Sequence, residues 1–235
     1  MDITFDTREK LVKPTPTVVR IVNKNNRTRW ATGTIIHNKQ VLTAAHVCYE
    51  IQNQVSHWEI IAGEHGGFGY PPRNIKRAAA MPLYLEARGD SITRDIGVIT
   101  VTDAFESSLV TPLGEFKADT FLKQNYSWIG YPSDKIPSDK DVYQWGDYGK
   151  PYGLEYFEIT FVEPPKETRT IVEGYFKNIA TPGQSGSALI DEAGKIIGVL
   201  SGIPRQGPHE GDLGFGLIDN TNYKFIYEEI TGNLE

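Results

Sequence analysis

Cysteine is almost missing from this chain: Cys48 is the only one among 235 residues. A single thiol excludes an intrachain disulfide, and Cys48 reads most simply as a small buried hydrophobe. Long apolar runs are missing too. No stretch approaches the roughly 18 residues of a membrane-spanning helix, so no membrane span is expected. There is no basic excess either: 24 Lys and Arg stand against 30 Asp and Glu, a formal net charge of −6. That balance argues against nucleic acid as a partner, because phosphate recognition needs a basic face. The opening residues, Met1 to Lys10, hold no apolar segment of the secretory kind. Two expectations follow, a chain that starts at a mature end or one that acts inside the cell. No internal repeat is visible.

The hydrophobic content of 39% over 235 residues is enough for a substantial core, and all-β barrels of this length commonly form one domain. Short apolar or alternating runs recur with turn signals between them. Thr17 to Val22, Trp30 to Ile36, Ile96 to Val101, Tyr126 to Ile129, Glu158 to Val162, Ala188 to Ile190 and Ile196 to Leu200 all read as strands. Asp191-Glu192-Ala193-Gly194-Lys195 is a hairpin turn between the last two, with a glycine where positive φ is wanted. Helical periodicity is strong only near the end, where Tyr223, Ile226, Tyr227 and Ile230 fall on one face behind an N-cap at Asp219 or Asn220. Many short strands with one terminal helix predict two packed β-barrels. Residues Ser133 to Gly153 read as a long surface loop.

Three short motifs carry chemistry. In Thr181-Pro182-Gly183-Gln184-Ser185-Gly186-Ser187, turn formers lead into a serine followed by glycine, and an apolar strand comes next. Gly183 permits a tight turn, and its N–H can converge with that of Ser185 on a developing oxyanion. Taken alone, the segment is equally an ordinary glycine-serine loop. His46 follows Thr43-Ala44-Ala45, small residues that allow close packing, and Asp95 stands at the mouth of the strand Ile96 to Val101. A general base needs a buried acceptor on its far ring nitrogen, and Asp95 is placed to be one. Separately, His46 could be a core histidine and Asp95 a strand-end carboxylate. The order His, Asp, Ser, each in a telling context, favours a catalytic set. The other histidines, His37, His57, His65 and His209, lie outside these motifs.

Together, Thr43-Ala44-Ala45-His46, Asp95-Ile96-Gly97-Val98 and Gly183-Gln184-Ser185-Gly186-Ser187 resemble the three catalytic motifs of the chymotrypsin-like (trypsin-fold) serine proteases. Gly-Gln-Ser-Gly-Ser, and Gly130-Tyr131-Pro132-Ser133-Asp134-Lys135 between the Asp and Ser motifs, are similar to the bacterial glutamyl endopeptidase and staphylococcal exfoliative-toxin branch. The resemblance implies an all-β fold of two packed six-stranded antiparallel β-barrels with a C-terminal α-helix, one peptidase domain over 1–235. The first barrel, 14–115, would carry His46 and Asp95, and the second, 116–218, would carry Ser185. The barrel boundary falls around Leu113 to Gln124, and 219–235 would form the helix.

By the same resemblance His46, Asp95 and Ser185 are the triad and the amides of Gly183 and Ser185 the oxyanion hole. The implied partner is a protein or peptide substrate, the enzyme monomeric, with no metal or organic cofactor. Because the branch is mostly secreted, the missing leader leaves compartment open. Trypsin-like zymogens carry an aspartate just before the serine to bind a freed amine. Gln184 stands there, so that ion-pair switch is not expected. Glutamyl endopeptidases read an acidic P1 side chain with a histidine and a nearby Thr or Ser. Here Leu200 and Ala180 take those places, with Thr181, Ser201 and Gly202 beside them. An apolar wall cannot pair a carboxylate, whose unpaired burial is costly, so an uncharged P1 residue is expected. Arg205 is the residue that could reverse this. A silent protease-fold binding module, or an enzyme held latent by a flipped peptide near Pro182-Gly183, are the alternative functions.

Overall fold

The computed structural model describes residues 6–86, 92–137, 142–160, 168–204 and 209–232. Fourteen strands dominate it. The first seven are β1 (Glu9–Lys10), β2 (Val18–Asn23), β3 (Trp30–His37), β4 (Gln40–Thr43), β5 (Trp58–Ala62), β6 (Arg73–Ala80) and β7 (Gly97–Val101). The second seven are β8 (Tyr126–Gly130), β9 (Trp145–Gly149), β10 (Gly153–Thr160), β11 (Thr168–Phe176), β12 (Ala188–Ile190), β13 (Ile196–Gly202) and β14 (Leu213–Leu217). Four helices intervene: α1 (Ala45–Ile51), α2 (Pro82–Glu86), α3 (Ala118–Phe121) and the terminal α4 (Asn220–Thr231).

Strands β2 to β7 close into an antiparallel barrel in the order β2-β3-β4-β7-β6-β5. Its lining is aliphatic and β-branched: Val19, Ile21, Ile35, Val41, Ile60 and Ile99 are fully buried, a composition suited to pleated, packed surfaces. The second half is an eight-stranded sheet, β1-β9-β8-β12-β13-β14-β11-β10, whose order among the described residues is not closed. Four of its strands, β1, β9, β11 and β14, were not expected. Strand β9 lies inside the stretch read as a surface loop, pairing with β8, and β1 pairs with the far edge of β9. Ile136, Val142 and Gln144 from that stretch are buried as well. The core here is aromatic, with Trp128, Phe121, Phe176 and Phe215 meeting mostly edge to face at 5.1–6.2 Å, the arrangement ring quadrupoles favour.

Helix α4 forms where expected, but Tyr223 and Tyr227 of the expected apolar face are exposed. The Asp219 side chain accepts from the Asn222 N–H as N-cap, and Phe225 and Ile226 pack into the first barrel's core. Arg94 bonds Asp219 and Asn222, while Asn222 Nδ2 donates to Thr93 O at 2.9 Å. The helix thereby clamps the short turn that ends at Asp95.

Candidate active site

His46 sits in the first turn of α1, a helix whose N-cap Ala44 offers no side-chain acceptor. Asp95 fills that gap. Its Oδ1 accepts the His46 backbone N–H at 2.8 Å, and its Oδ2 accepts from His46 Nδ1 at 2.7 Å. One carboxylate therefore serves an orphan helix N–H and the imidazole together, fixing both ring position and tautomer. Asp95 is 2% exposed, so these bonds stand in a low-dielectric setting where they are strong. Burial of His46 disfavours its charged form, but the hydrogen bond and charge of Asp95, with a smaller pull from Glu50, outweigh it. The ring's pKa is raised above the ordinary 6.5.

Ser185 lies in the second of two consecutive turns. Gln184 N–H bonds Thr181 O at 3.2 Å, and Ser187 N–H bonds Gln184 O at 3.0 Å. In the first turn Pro182 precedes Gly183 at φ +92°, and in the second Ser185 precedes Gly186 at φ +89°, the residue pattern of type II turns. The first barrel braces both. Thr32 on β3 donates its Oγ1 to Gly183 O at 2.7 Å and its N–H to Ser185 O at 3.0 Å, while its own carbonyl accepts from Thr43 Oγ1 at 2.7 Å. A Cβ on Gly186 would lie 2.1 Å from both Thr32 O and Thr43 Oγ1. Gly186→Ala therefore combines a forbidden φ with overpacking, and thermal denaturation should show roughly 3–5 kcal/mol lost.

His46, Gly183 and Ser185 line one cleft of about 270 Å³, walled also by Trp30, Trp58 and Glu50. Pro182 O accepts from Ser133 N–H at 2.9 Å. Because the C=O and N–H of one trans peptide point opposite ways, that bond aims Gly183 N–H away from Ser133. Among the described residues no protein acceptor takes the N–H of Gly183 or Ser185. The cleft thus offers a hydroxyl, an imidazole with its far nitrogen anchored, and two unspent amides. Such a set can transfer a proton from serine and hold an oxyanion.

The remaining candidates lie off this cleft. Leu200 on β13 is buried in the aromatic core, and Ala180 packs against the same cluster. Thr181 Oγ1 donates to Asp134 Oδ1 at 2.6 Å. Ser201, expected in the pocket, donates its Oγ to Asp95 Oδ2 at 2.5 Å, so Asp95 has three donors. Gly202 pairs with Gly214 at the end of β13, and Arg205 lies outside the described residues. Cys48 is fully buried and its thiol is pushed far above the usual range by that burial, which leaves it unreactive. Among the described residues, no three His, Cys, Asp or Glu side chains converge as metal ligands, and no helix is long and apolar enough to cross a membrane.

Several residues at or behind the cleft had no legible signal. Trp30, Trp58 and Glu50 reach the cleft from three separate elements, and Thr32 is one threonine among many in strands. Arg8, far up the chain, donates to Gln184 Oε1 beside the serine at 3.0 Å.

The sequence model of the family described as Trypsin matches residues 5–217. Among solved structures, the chain superposes on a Glu endopeptidase in complex with MPD at TM-score 0.75 and 19% identity, covering 97% of this chain and 98% of that one. Human heparin binding protein aligns at TM-score 0.66 and 16% identity, over 98% of both chains. HL collagenase aligns at 0.63 and 18%, over 97% of this chain and 99% of that one. At such identities these likenesses establish the fold. No curated protein sequence matches significantly.

Proposed function

This chain belongs to the trypsin family, and we propose from that premise that it is a serine endopeptidase working through an acyl-enzyme. One observation carries the reading: His46 is bonded to buried Asp95 and opens with Ser185 onto one cleft. In the proposed reaction His46 Nε2 takes the Ser185 hydroxyl proton as Oγ attacks the peptide carbonyl. Asp95 stabilises the imidazolium that forms without itself taking the proton. The amides of Gly183 and Ser185 receive the oxyanion, a contribution of roughly 3–4 kcal/mol per donor in comparable sites. The C–N bond breaks as His46 returns the proton to the leaving amine. Water, deprotonated by the same imidazole, then releases the acid and restores Ser185. His46 thus alternates between base and acid in both halves, while Asp95 and the two amides each keep one role.

The contacts of Leu200, Thr181 and Ser201, beside the described cleft, support an uncharged, apolar or aromatic P1 residue. Leu200 is apolar and packed, the Thr181 hydroxyl is engaged by Asp134, and that of Ser201 by Asp95. None of these donors is left to pair a substrate carboxylate, and an unpaired charge there would be costly. Two measurements test the reading. A fluorophosphonate probe should label the folded protein, with the adduct mapped to Ser185 by mass spectrometry. Absence of labelling would favour a silent or latent module. In a peptide library, cleavage should follow apolar or aromatic residues, and dominant cleavage after Glu would refute the pocket reading.

A further inference from the structure

Arg8 is a charged side chain with 2% of its surface exposed, placed where the chain has barely begun. Its five N–H groups face six acceptors within hydrogen-bond distance, one N–H of Nη1 being shared. Nε and Nη2 hold the Asp6 carboxylate at 2.8 and 3.0 Å, and Nη1 and Nη2 hold that of Asp134 at 3.0 and 2.6 Å. Nη1 also reaches Thr181 Oγ1 at 3.2 Å and Gln184 Oε1 at 3.0 Å. Two bidentate carboxylates are ample to offset the desolvation of one guanidinium. The contacts with Thr181 and Gln184 therefore do something other than neutralise charge.

Those two residues are the ends of the turn that presents Gly183. Gln184, itself 1% exposed, accepts on the same Oε1 from the Thr181 N–H at 3.0 Å. Arg8 thus fixes the one acceptor that locks the turn's first residue to its last by side chain, beside the backbone bond already there. Neighbouring contacts keep the arginine in register. Thr7 Oγ1 donates to Asp147 at 2.9 Å, Glu9 and Lys10 pair with β9, and Leu11 N–H bonds Gln144 O at 3.0 Å. Lys135 closes the group on Asp6 at 2.7 Å. Among the described residues, none of these bonds involves His46 or Asp95.

We infer that Arg8 is a positioning residue for the reaction proposed above: seated in its pocket, it holds through Gln184 the turn that aims the Gly183 and Ser185 amides. The inference rests on the serine-protease reading for its catalytic consequence, but not for its structural one. Arg8 becomes an internal pin on this turn, acting through its side chain and not through a terminal amine.

Full-length Arg8→Ala should lose about 10²-fold in kcat, the scale of one oxyanion donor, with KM nearly unchanged. The acid limb of its pH profile should stay where the wild type has it, because the His46–Asp95 pair is untouched. Arg8→Lys should fall between the two, and millimolar guanidinium should restore part of the Arg8→Ala rate where equal sodium chloride does not. Hydrogen exchange over 181–187, read by mass spectrometry, needs no catalysis and should be faster in Arg8→Ala than in wild type. Unchanged kcat in folded Arg8→Ala would overturn the inference. So would unchanged exchange, or a rate loss that merely follows the unfolded fraction and resists guanidinium. A wild type that protects 181–187 yet neither cleaves peptides nor takes the probe would sink the protease reading alone.

Discussion

Ser185→Ala is expected to lower kcat for peptide hydrolysis about 10⁶-fold, as removal of the nucleophile does in enzymes of this chemistry. The fold should survive, because the position is half-buried and the change removes one oxygen without adding volume. Stability should move by no more than about 0.5 kcal/mol, so the loss is chemical. Activity should still exceed the uncatalysed rate by roughly 10³–10⁴, since the Gly183 amide and the cleft go on binding the tetrahedral state formed by water. His46→Ala should cost about as much, and the double variant little more, because the two groups act as one unit. Initial rates on a fluorogenic peptide measure all three. A Ser185→Ala enzyme within about 100-fold of wild type would place the nucleophile elsewhere.

How far the sequence disclosed this arrangement depends on how local the signal was. Strands β2, β3, β7, β8, β12 and β13 stand where apolar runs predicted them, because each run is short, β-branched or aromatic, and bounded by turn formers. The hairpin turn closes through Asp191 N–H to Lys195 O at 2.9 Å with Gly194 at φ +76°. Helix α4 begins at the expected cap. Strand β6, Arg73–Ala80, escaped notice because its charged and alanine residues lack alternation. Helix α1 escaped because seven residues are too few for a period, and it is set by packing and by Asp95 rather than by propensity. Strand β9 is held by its neighbours on both edges, and no local pattern announces that.

Chemistry followed the same division. His46, Gly183 and Ser185 were legible because small residues and glycines must surround them, and their cleft lies where the two sheets meet. The contact of Ser201 with Asp95 spans 106 positions, and that of Arg8 with Gln184 spans 176. Such pairs are consequences of topology. A lone arginine after an aspartate near the N-terminus carries no signal that it will be buried.

Asp95→Asn should cost about 10⁴-fold in kcat, and the reason is the tautomer. The His46 backbone N–H needs an acceptor, so the asparagine carbonyl oxygen must take the place of Oδ1. Its NH₂ then faces His46 Nδ1, where Oδ2 accepts in the wild type at 2.7 Å. A donor there holds Nδ1 unprotonated and puts the ring proton on Nε2, the atom that must receive the serine proton. The Ser201 hydroxyl can rotate to accept from the amide, so the fold adapts while the chemistry cannot. The pH profile separates this from a folding defect. In the wild type, kcat/KM should rise as His46 loses its proton, with a midpoint above 6.5, because Asp95 raises that pKa against the effect of burial. Asp95→Asn removes the raising partner and leaves burial, so its midpoint should shift to lower pH. Ser201→Ala keeps the carboxylate charge and both bonds to His46, and should cost far less. An Asp95→Asn enzyme within about tenfold of wild type, or one with an unmoved limb, would mean that Asp95 supports α1 and does not steer the imidazole.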